Sequence, residues 1–242
     1  MWNKKNDMLK KLIKKARGYY RKQLNYEFLN WLSYANAGML DPGNSYCMDY
    51  AIKRLPTSNP VIEIGSFCGL STNVISYLLK KHSKQNRIFT SDRWIFEGAE
   101  NGGTLGDSDI QHSDYRSFVM DTFKRNLTFF GKTTFIHPIE VFSDDFFKLW
   151  ENAAVVTDLF KIEVQLGGNI SFAYIDGNHT YEYSKRDFQN VSKHLDKGGF
   201  ILFDDSSDFS SFGCARLMKE IVANSDYELV MKNPNYLFRK IK

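Results

Sequence analysis

Asp176, Asp204, Asp205 and His179 are the residues whose types and spacing could do chemistry in this chain. Phe172-Ala173-Tyr174-Ile175 is a short apolar run that ends in Asp176-Gly177-Asn178-His179. Phe200-Ile201-Leu202-Phe203 is a second one, and it ends in Asp204-Asp205. A helix-length segment from Tyr181 to Asp196, closed by Lys197-Gly198-Gly199, lies between them. Strand–helix–strand units of this kind are parallel and right-handed, so both acidic ends reach one edge of the sheet. Three carboxylates gathered there repel one another unless a cation lies among them, and hard oxygen ligands suit Mg²⁺ or a similar divalent ion. A neutral imidazole beside them can take a proton. One Asp after a strand would be ordinary turn chemistry. Two such strands across one crossover, with a histidine nearby, point to a functional site.

A second constellation lies earlier. The β-branched run Val61–Ile64 leads into Gly65-Ser66-Phe67-Cys68-Gly69-Leu70-Ser71, the position at which an open α/β sheet binds its cofactor. Gly65 allows a sharp turn, Gly69 lets the next helix start near a ligand, and Ser71 is an N-cap or a ligand contact. Phe67 occupies the place of the second glycine in the dinucleotide fingerprint, which disfavours NAD and FAD, and no phosphate-loop motif is present. Asp92 ends the next strand, Arg87–Asp92, where an acid can accept hydrogen bonds from ribose hydroxyls. A nucleoside without a pyrophosphate fits this pairing, and S-adenosylmethionine is the obvious one.

The elements that must position these residues alternate. Helical patterning covers residues 8–36, Tyr46–Leu55, Thr72–Lys81, 115–130, most of Asp144–Leu166, and Phe212–Ala223. Strand patterning covers Thr133–His137 besides the four runs above, and Tyr227–Met231 with Tyr236–Ile241 reads as a terminal hairpin around Asn233-Pro234-Asn235. Such alternation predicts a parallel sheet with helices on both faces, closed by one antiparallel strand. Residues 95–114 hold four glycines and little periodicity, the composition of a lid or binding loop.

The 242 residues suffice for one α/β domain with an appendage. We divide the chain into an N-terminal helical extension, 1–44, and a catalytic domain, 45–242. Residues 1–23 carry nine Lys or Arg and a single acid, Asp7, whereas the remainder has 23 basic and 27 acidic residues. The basic start alternates apolar and charged positions like an amphipathic helix, which packs on the body or on a second copy of the chain. Three cysteines without C-x-x-C spacing, and neither a membrane-length apolar run nor a signal peptide, predict a cytoplasmic protein with reduced thiols.

The order E-x-G-S-x-x-G-x-S, an Asp ending the second strand, D-G-x-H-x-Y and G-G-x-x-x-x-D-D resembles the class I S-adenosylmethionine-dependent methyltransferases over residues 45–242. Within that class it is most similar to the metal-dependent sugar O-methyltransferases of the macrocin and mycinamicin type. The resemblance implies a Rossmann-like, doubly wound sheet of seven mostly parallel strands with the last one reversed. It implies that Glu63, Gly65, Ser66, Gly69 and Ser71 surround the methionine part of the cofactor and that Asp92 holds the ribose. It further implies that Asp176, Asp204 and Asp205 bind Mg²⁺ and that His179 is the general base. The acceptor would be a hydroxyl of a small molecule or a glycosyl group. The catechol-type enzymes carry a lysine just after the first metal-binding Asp, and this chain does not, which speaks against a catechol. His137-Pro138-Ile139-Glu140 lacks the small polar residues that usually bracket adenine. Two other readings are a methyltransferase acting on nucleic acid, which the confinement of basic residues to one terminal segment disfavours, and a non-catalytic binding protein with a vestigial cofactor site.

Overall fold

A computed structural model describes residues 21–96, 99, 101–131, 135–208 and 210–242. Two helices come first, α1 (Glu27–Ala35) and α2 (Pro42–Lys53). The Asp41 side chain caps α2 by accepting from the Gly43 amide at 2.8 Å, and Pro42 sits at the first helical position, where its missing N–H costs nothing. Then follow β1 (Val61–Ile64), α3 (Leu70–Lys81), β2 (Ile88–Asp92), α4 (His112–Phe130), β3 (Ile136–Glu140), α5 (Ser143–Glu151), β4 (Val155–Thr157) and β5 (Glu163–Gln165). The chain closes with β6 (Ile170–Ile175), α6 (Tyr181–His194), β7 (Leu195–Phe203), α7 (Cys214–Ala223), β8 (Tyr227–Lys232) and β9 (Tyr236–Lys240).

Seven strands form one sheet in the order β3-β2-β1-β6-β7-β9-β8. β3, β2, β1, β6 and β7 pair in parallel, whereas the last strand, β9, runs antiparallel to both β7 and β8. The expected doubly wound sheet with a reversed last strand is therefore present. β1 and β6 are buried at every position, as central parallel strands covered on both faces must be. α1 to α4 cover one face through a core that includes Met48, Ile75, Leu78, Trp94 and Phe123. α5 to α7 cover the other through Phe146, Trp150, Val191, Leu217 and Met218. Each fully buried large apolar side chain contributes about 1.5–3 kcal/mol, against ~0–1 kcal/mol for an exposed ion pair, so these two layers set the architecture.

Three expected elements differ. The patterning of Asp144–Leu166 predicts helix over most of the segment, but the helix stops at Glu151 and the antiparallel pair β4–β5 follows. Ala153 turns the chain with φ +46°, and the β-branched Val155, Val156 and Thr157 then favour strand over helix. The third strand spans Ile136–Glu140, so it continues through Pro138, and Thr133 and Thr134 of the expected run lie outside the described residues. Proline is tolerated there because β3 is an edge strand, and the Pro138 carbonyl is used by the Leu159 amide at 2.9 Å. Of the helical reading of 8–36, residues 8–20 lie outside the described residues; among 21–36 only Glu27–Ala35 is helical. The loop 95–114 is shortened by the start of α4 at His112, and among its described residues Thr104 bridges Gln111. Among the described residues no helix is long and apolar enough to cross a membrane.

Candidate active site

The C-terminal ends of four strands are laced side by side. The Gly65 amide donates to the Ser91 carbonyl at 3.0 Å, the Asp176 amide to Ile64 at 2.8 Å, and the Asp204 amide to Ile175 at 2.9 Å. Asp92, Gly65, Asp176 and Asp204 therefore stand in one row along the sheet edge, and both sequence constellations belong to a single site. The approach is close: a Cβ on Gly65 would lie 2.0 Å from the Asp176 carbonyl oxygen, and the residue has φ +83°. Only glycine satisfies both conditions. Gly69, with φ +84°, is the N-cap of α3, so Ser71 sits inside the first turn of the helix rather than at its cap.

Glu63 is fully buried on β1. Its Oε2 accepts from the hydroxyls of Thr72 and Ser66, while Oε1 has no hydrogen-bond partner. Burial pushes this carboxyl up to about 7, against the opposing pull of the Ser71, Thr72 and Ser66 hydroxyls. Asp92 is turned inward onto the backbone: Oδ2 accepts from the amides of Ser66 at 2.8 Å and Phe67 at 3.0 Å, and Oδ1 accepts from Trp94 at 2.6 Å. Burial raises its pKa, and these amides oppose the rise. Trp94 is itself buried and donates its indole N–H to the Phe67 carbonyl at 2.8 Å.

Asp204 is buried at the end of β7 and held by four donors. Its Oδ1 accepts from Asn235 Nδ2 at 2.6 Å, Asn44 Nδ2 at 2.7 Å and the Asp205 amide at 2.9 Å. Its Oδ2 accepts from the Tyr174 hydroxyl at 2.8 Å, and that hydroxyl lies 3.2 Å from Asp176 Oδ2. Asn44, Tyr174 and Asn235 were not singled out in the sequence. Asn44 stands on α2 and Asn235 in the β8–β9 turn, 191 positions apart, and they meet because both elements dock at the end of β7. Tyr174 could have been found by its alternation with Asp176 on one strand; the two asparagines carried no local signal.

His179 stands beyond β6 with Nε2 3.6 Å from Asp176 Oδ1 and 3.3 Å from Asp205 Oδ2, ion-pair distances without hydrogen-bond geometry. Interaction with Asp176 is the largest cause raising its pKa, with the charges of Asp205 and Asp204 adding and burial opposing. Asp176 is itself raised well above the usual carboxylate range, by burial first and the Asp204 charge second. Phe212 packs against the imidazole with ring centroids 4.7 Å apart. The carboxylates of Asp176, Asp204 and Asp205 thus meet with His179 among them. Among the described residues, however, no group of three or more His, Cys, Asp or Glu side chains is arranged to hold a metal ion. Asp204 accepts from the neutral amides of Asn44 and Asn235, and His179 Nε2 lies within ion-pair distance of the other two acids.

Of the aromatic residues, Tyr181 hydrogen-bonds Glu220 at 2.6 Å on the outer helices, and Tyr183 is exposed.

A parallel sheet with one reversed strand, a glycine turn after β1 and an acid after β2 define a nucleoside-cofactor-binding α/β enzyme. A family model described as "Methyltransferase domain" matches residues 62–206, from β1 to just past β7. The chain belongs to this methyltransferase family. Among solved structures it is similar to the methyltransferase PaMTH1 of Podospora anserina, with a TM-score of 0.58 and 10% identity over 98% of this chain and 97% of that one. It is also similar to CalS11, a TDP-rhamnose 3'-O-methyltransferase, with a TM-score of 0.52 and 14% identity over 81% of this chain and 78% of that one. At such identities the likeness is one of fold. An uncharacterized protein of Acanthamoeba polyphaga mimivirus is 39% identical over 51 residues, which are 21% of this chain and 23% of that relative's length.

Proposed function

We propose that the protein is an S-adenosylmethionine-dependent, Mg²⁺-dependent O-methyltransferase acting on a hydroxyl of a small molecule or glycosyl group. The observation that carries this reading is the single row of Asp92, Gly65, Asp176 and Asp204 along one sheet edge, with His179 and Asp205 beside it. CalS11, of like fold, acts on a sugar hydroxyl.

The residues suit the cofactor. Glu63 Oε1 is a buried oxygen without a partner, and a positively charged amino group is the natural complement to it. Ser66, Gly69 and Ser71 form the turn around that end. Asp92 already accepts three amides and retains acceptor capacity for one ribose hydroxyl. When bound, the cofactor supplies an electrophilic methyl group.

The donor set also suits a hard divalent ion. Asp176 Oδ1 and Asp205 Oδ2 each lie within ion-pair distance of His179 Nε2. Asp204 completes the set, its Oδ1 held in place by the side-chain amides of Asn44 and Asn235. Such an ion would lower the pKa of an acceptor hydroxyl.

His179 takes the proton. Two carboxylates at Nε2 favour a hydrogen there, which leaves the lone pair of the neutral ring on Nδ1. A base of this kind contributes about 10²- to 10⁴-fold, so His179→Ala should lose that much rate and keep its cofactor affinity. The buried free thiols of Cys47, Cys68 and Cys214 suit a cytoplasmic setting.

Calorimetry with S-adenosylmethionine, with and without Mg²⁺, followed by a screen of glycosylated acceptors, tests the whole reading. No cofactor binding, or turnover indifferent to chelation of Mg²⁺, would overturn it.

A further inference from the structure

Two residues that are not glycine have left-handed backbones in adjoining loops: Phe67, after β1, at φ +45°, and Trp94, after β2, at φ +52°. Bulky side chains resist this conformation, and it persists only where surrounding contacts over-determine it. Here the contacts are identifiable. One carboxylate, that of Asp92, accepts the amides of Ser66, Phe67 and Trp94, and so ties both turns to one anchor. The Trp94 indole N–H closes the ring of bonds onto the Phe67 carbonyl at 2.8 Å. The indole is 1% exposed and packs edge-on against Phe123 of α4, with centroids 5.1 Å apart, so it cannot swing away from that carbonyl without opening the core.

We propose that Trp94 is a positioning residue for the cofactor, acting through Phe67 and Asp92. It holds the turn Gly65-Ser66-Phe67 in its ligand-binding shape before any ligand arrives. The inference rests on the cofactor reading above but concerns different atoms: Trp94 touches the turn, and the turn touches the ligand. A pre-formed turn spares the ligand the cost of ordering it, which appears as affinity. The bond that does this is one indole N–H, and removing it should weaken binding without touching any residue that meets the cofactor.

The test uses the full chain and S-adenosylhomocysteine as the probe. Trp94→Phe removes the N–H along with some volume. Site-specific replacement of Trp94 by benzothienylalanine removes the N–H alone, and it decides the matter if the phenylalanine variant misfolds. The dissociation constant should rise roughly 3- to 10-fold in both variants, the range for one net hydrogen bond. In the ligand-free protein, amide hydrogen exchange at Ser66 and Phe67 should quicken by a similar factor. A benzothienyl variant that melts earlier yet binds the probe with wild-type affinity would show a merely structural tryptophan and overturn the proposal. So would unchanged exchange at Ser66 and Phe67. If the wild-type chain itself fails to bind the probe, the cofactor reading fails instead, and the exchange rates still decide whether Trp94 holds the turn.

Discussion

The carbonyl oxygen of Asp176 occupies the place where Gly65 would carry a side chain, 2.0 Å from the position of a Cβ. Backbone, not side chain, makes this contact, so neither partner can rotate away. Gly65→Ala should therefore separate the cofactor turn from the acidic strand end. Left-handed backbone and overpacking together should cost about 2–4 kcal/mol. Urea unfolding measures it, and a variant within 0.5 kcal/mol of wild type, roughly the scatter of neutral surface changes, would contradict the close approach.

Asn44 and Asn235 should matter more than their neutrality suggests. Each donates to the buried Asp204 carboxylate, at 2.7 and 2.6 Å. Removing a bond to a charged group costs about 1.5–3 kcal/mol. Asn44→Ala and Asn235→Ala should each lower stability by that amount, whereas Lys232→Ala, which breaks an exposed pair with Asp208, should cost ~0–1 kcal/mol. Equal effects in denaturant titrations would mean that Asp204 is not held as described.

His179 should titrate above 6.5 in the metal-free protein, because Asp176 and then Asp205 favour its charged form. Since the folded pKa lies above the unfolded one, its stabilising contribution is complete below about pH 6.5 and is lost as pH rises through the folded pKa. The stability difference between wild type and His179→Gln should accordingly shrink from pH 5.5 to pH 8.5, roughly the window that brackets this titration. An NMR titration that places the imidazole at or below its ordinary value would rule this out.

Glu63 should couple cofactor binding to proton release. Its carboxyl is raised from 4.5 to about 7, so it retains a proton near neutrality that the unfolded chain has lost. The sign is destabilising: stability is greatest below pH ~4.5 and declines as pH climbs to ~7, by about 3 kcal/mol. A cationic amino group beside Oε1 favours the ionised form. Calorimetry at pH 6.5 in buffers of differing ionisation enthalpy should then detect release of a fraction of a proton, and Glu63→Gln should abolish it. Identical binding heats in all buffers would exclude the coupling.

Much of this site is legible one residue at a time. Gly65 and Asp92 declare themselves because each follows a short β-branched or apolar run, and a parallel sheet brings all such run-ends to one edge. The same rule brings Asp176 and Asp204 together. Patterning fails where tertiary contacts outweigh local preference. Pro138 looks like the end of a strand until β3 is seen at an edge, and the segment after Glu151 looks helical until Ala153 turns it back into β4 and β5. Likewise, a division of the chain at residue 45 runs through α2, which carries Asn44 to Asp204.

The amino-acid sequence by itself determined the alternating architecture and the roster of acids, because strand period, glycine turns and acidic strand ends are local properties. Only the tertiary structure decided what each acid faces. Asp204 faces two asparagines 191 residues apart, Asp92 faces the amides of two turns, and Asp205 faces an imidazole. Hydrogen bonds act across a few ångströms of space and are blind to separation along the chain, so such partners exist only once helices and hairpin have docked.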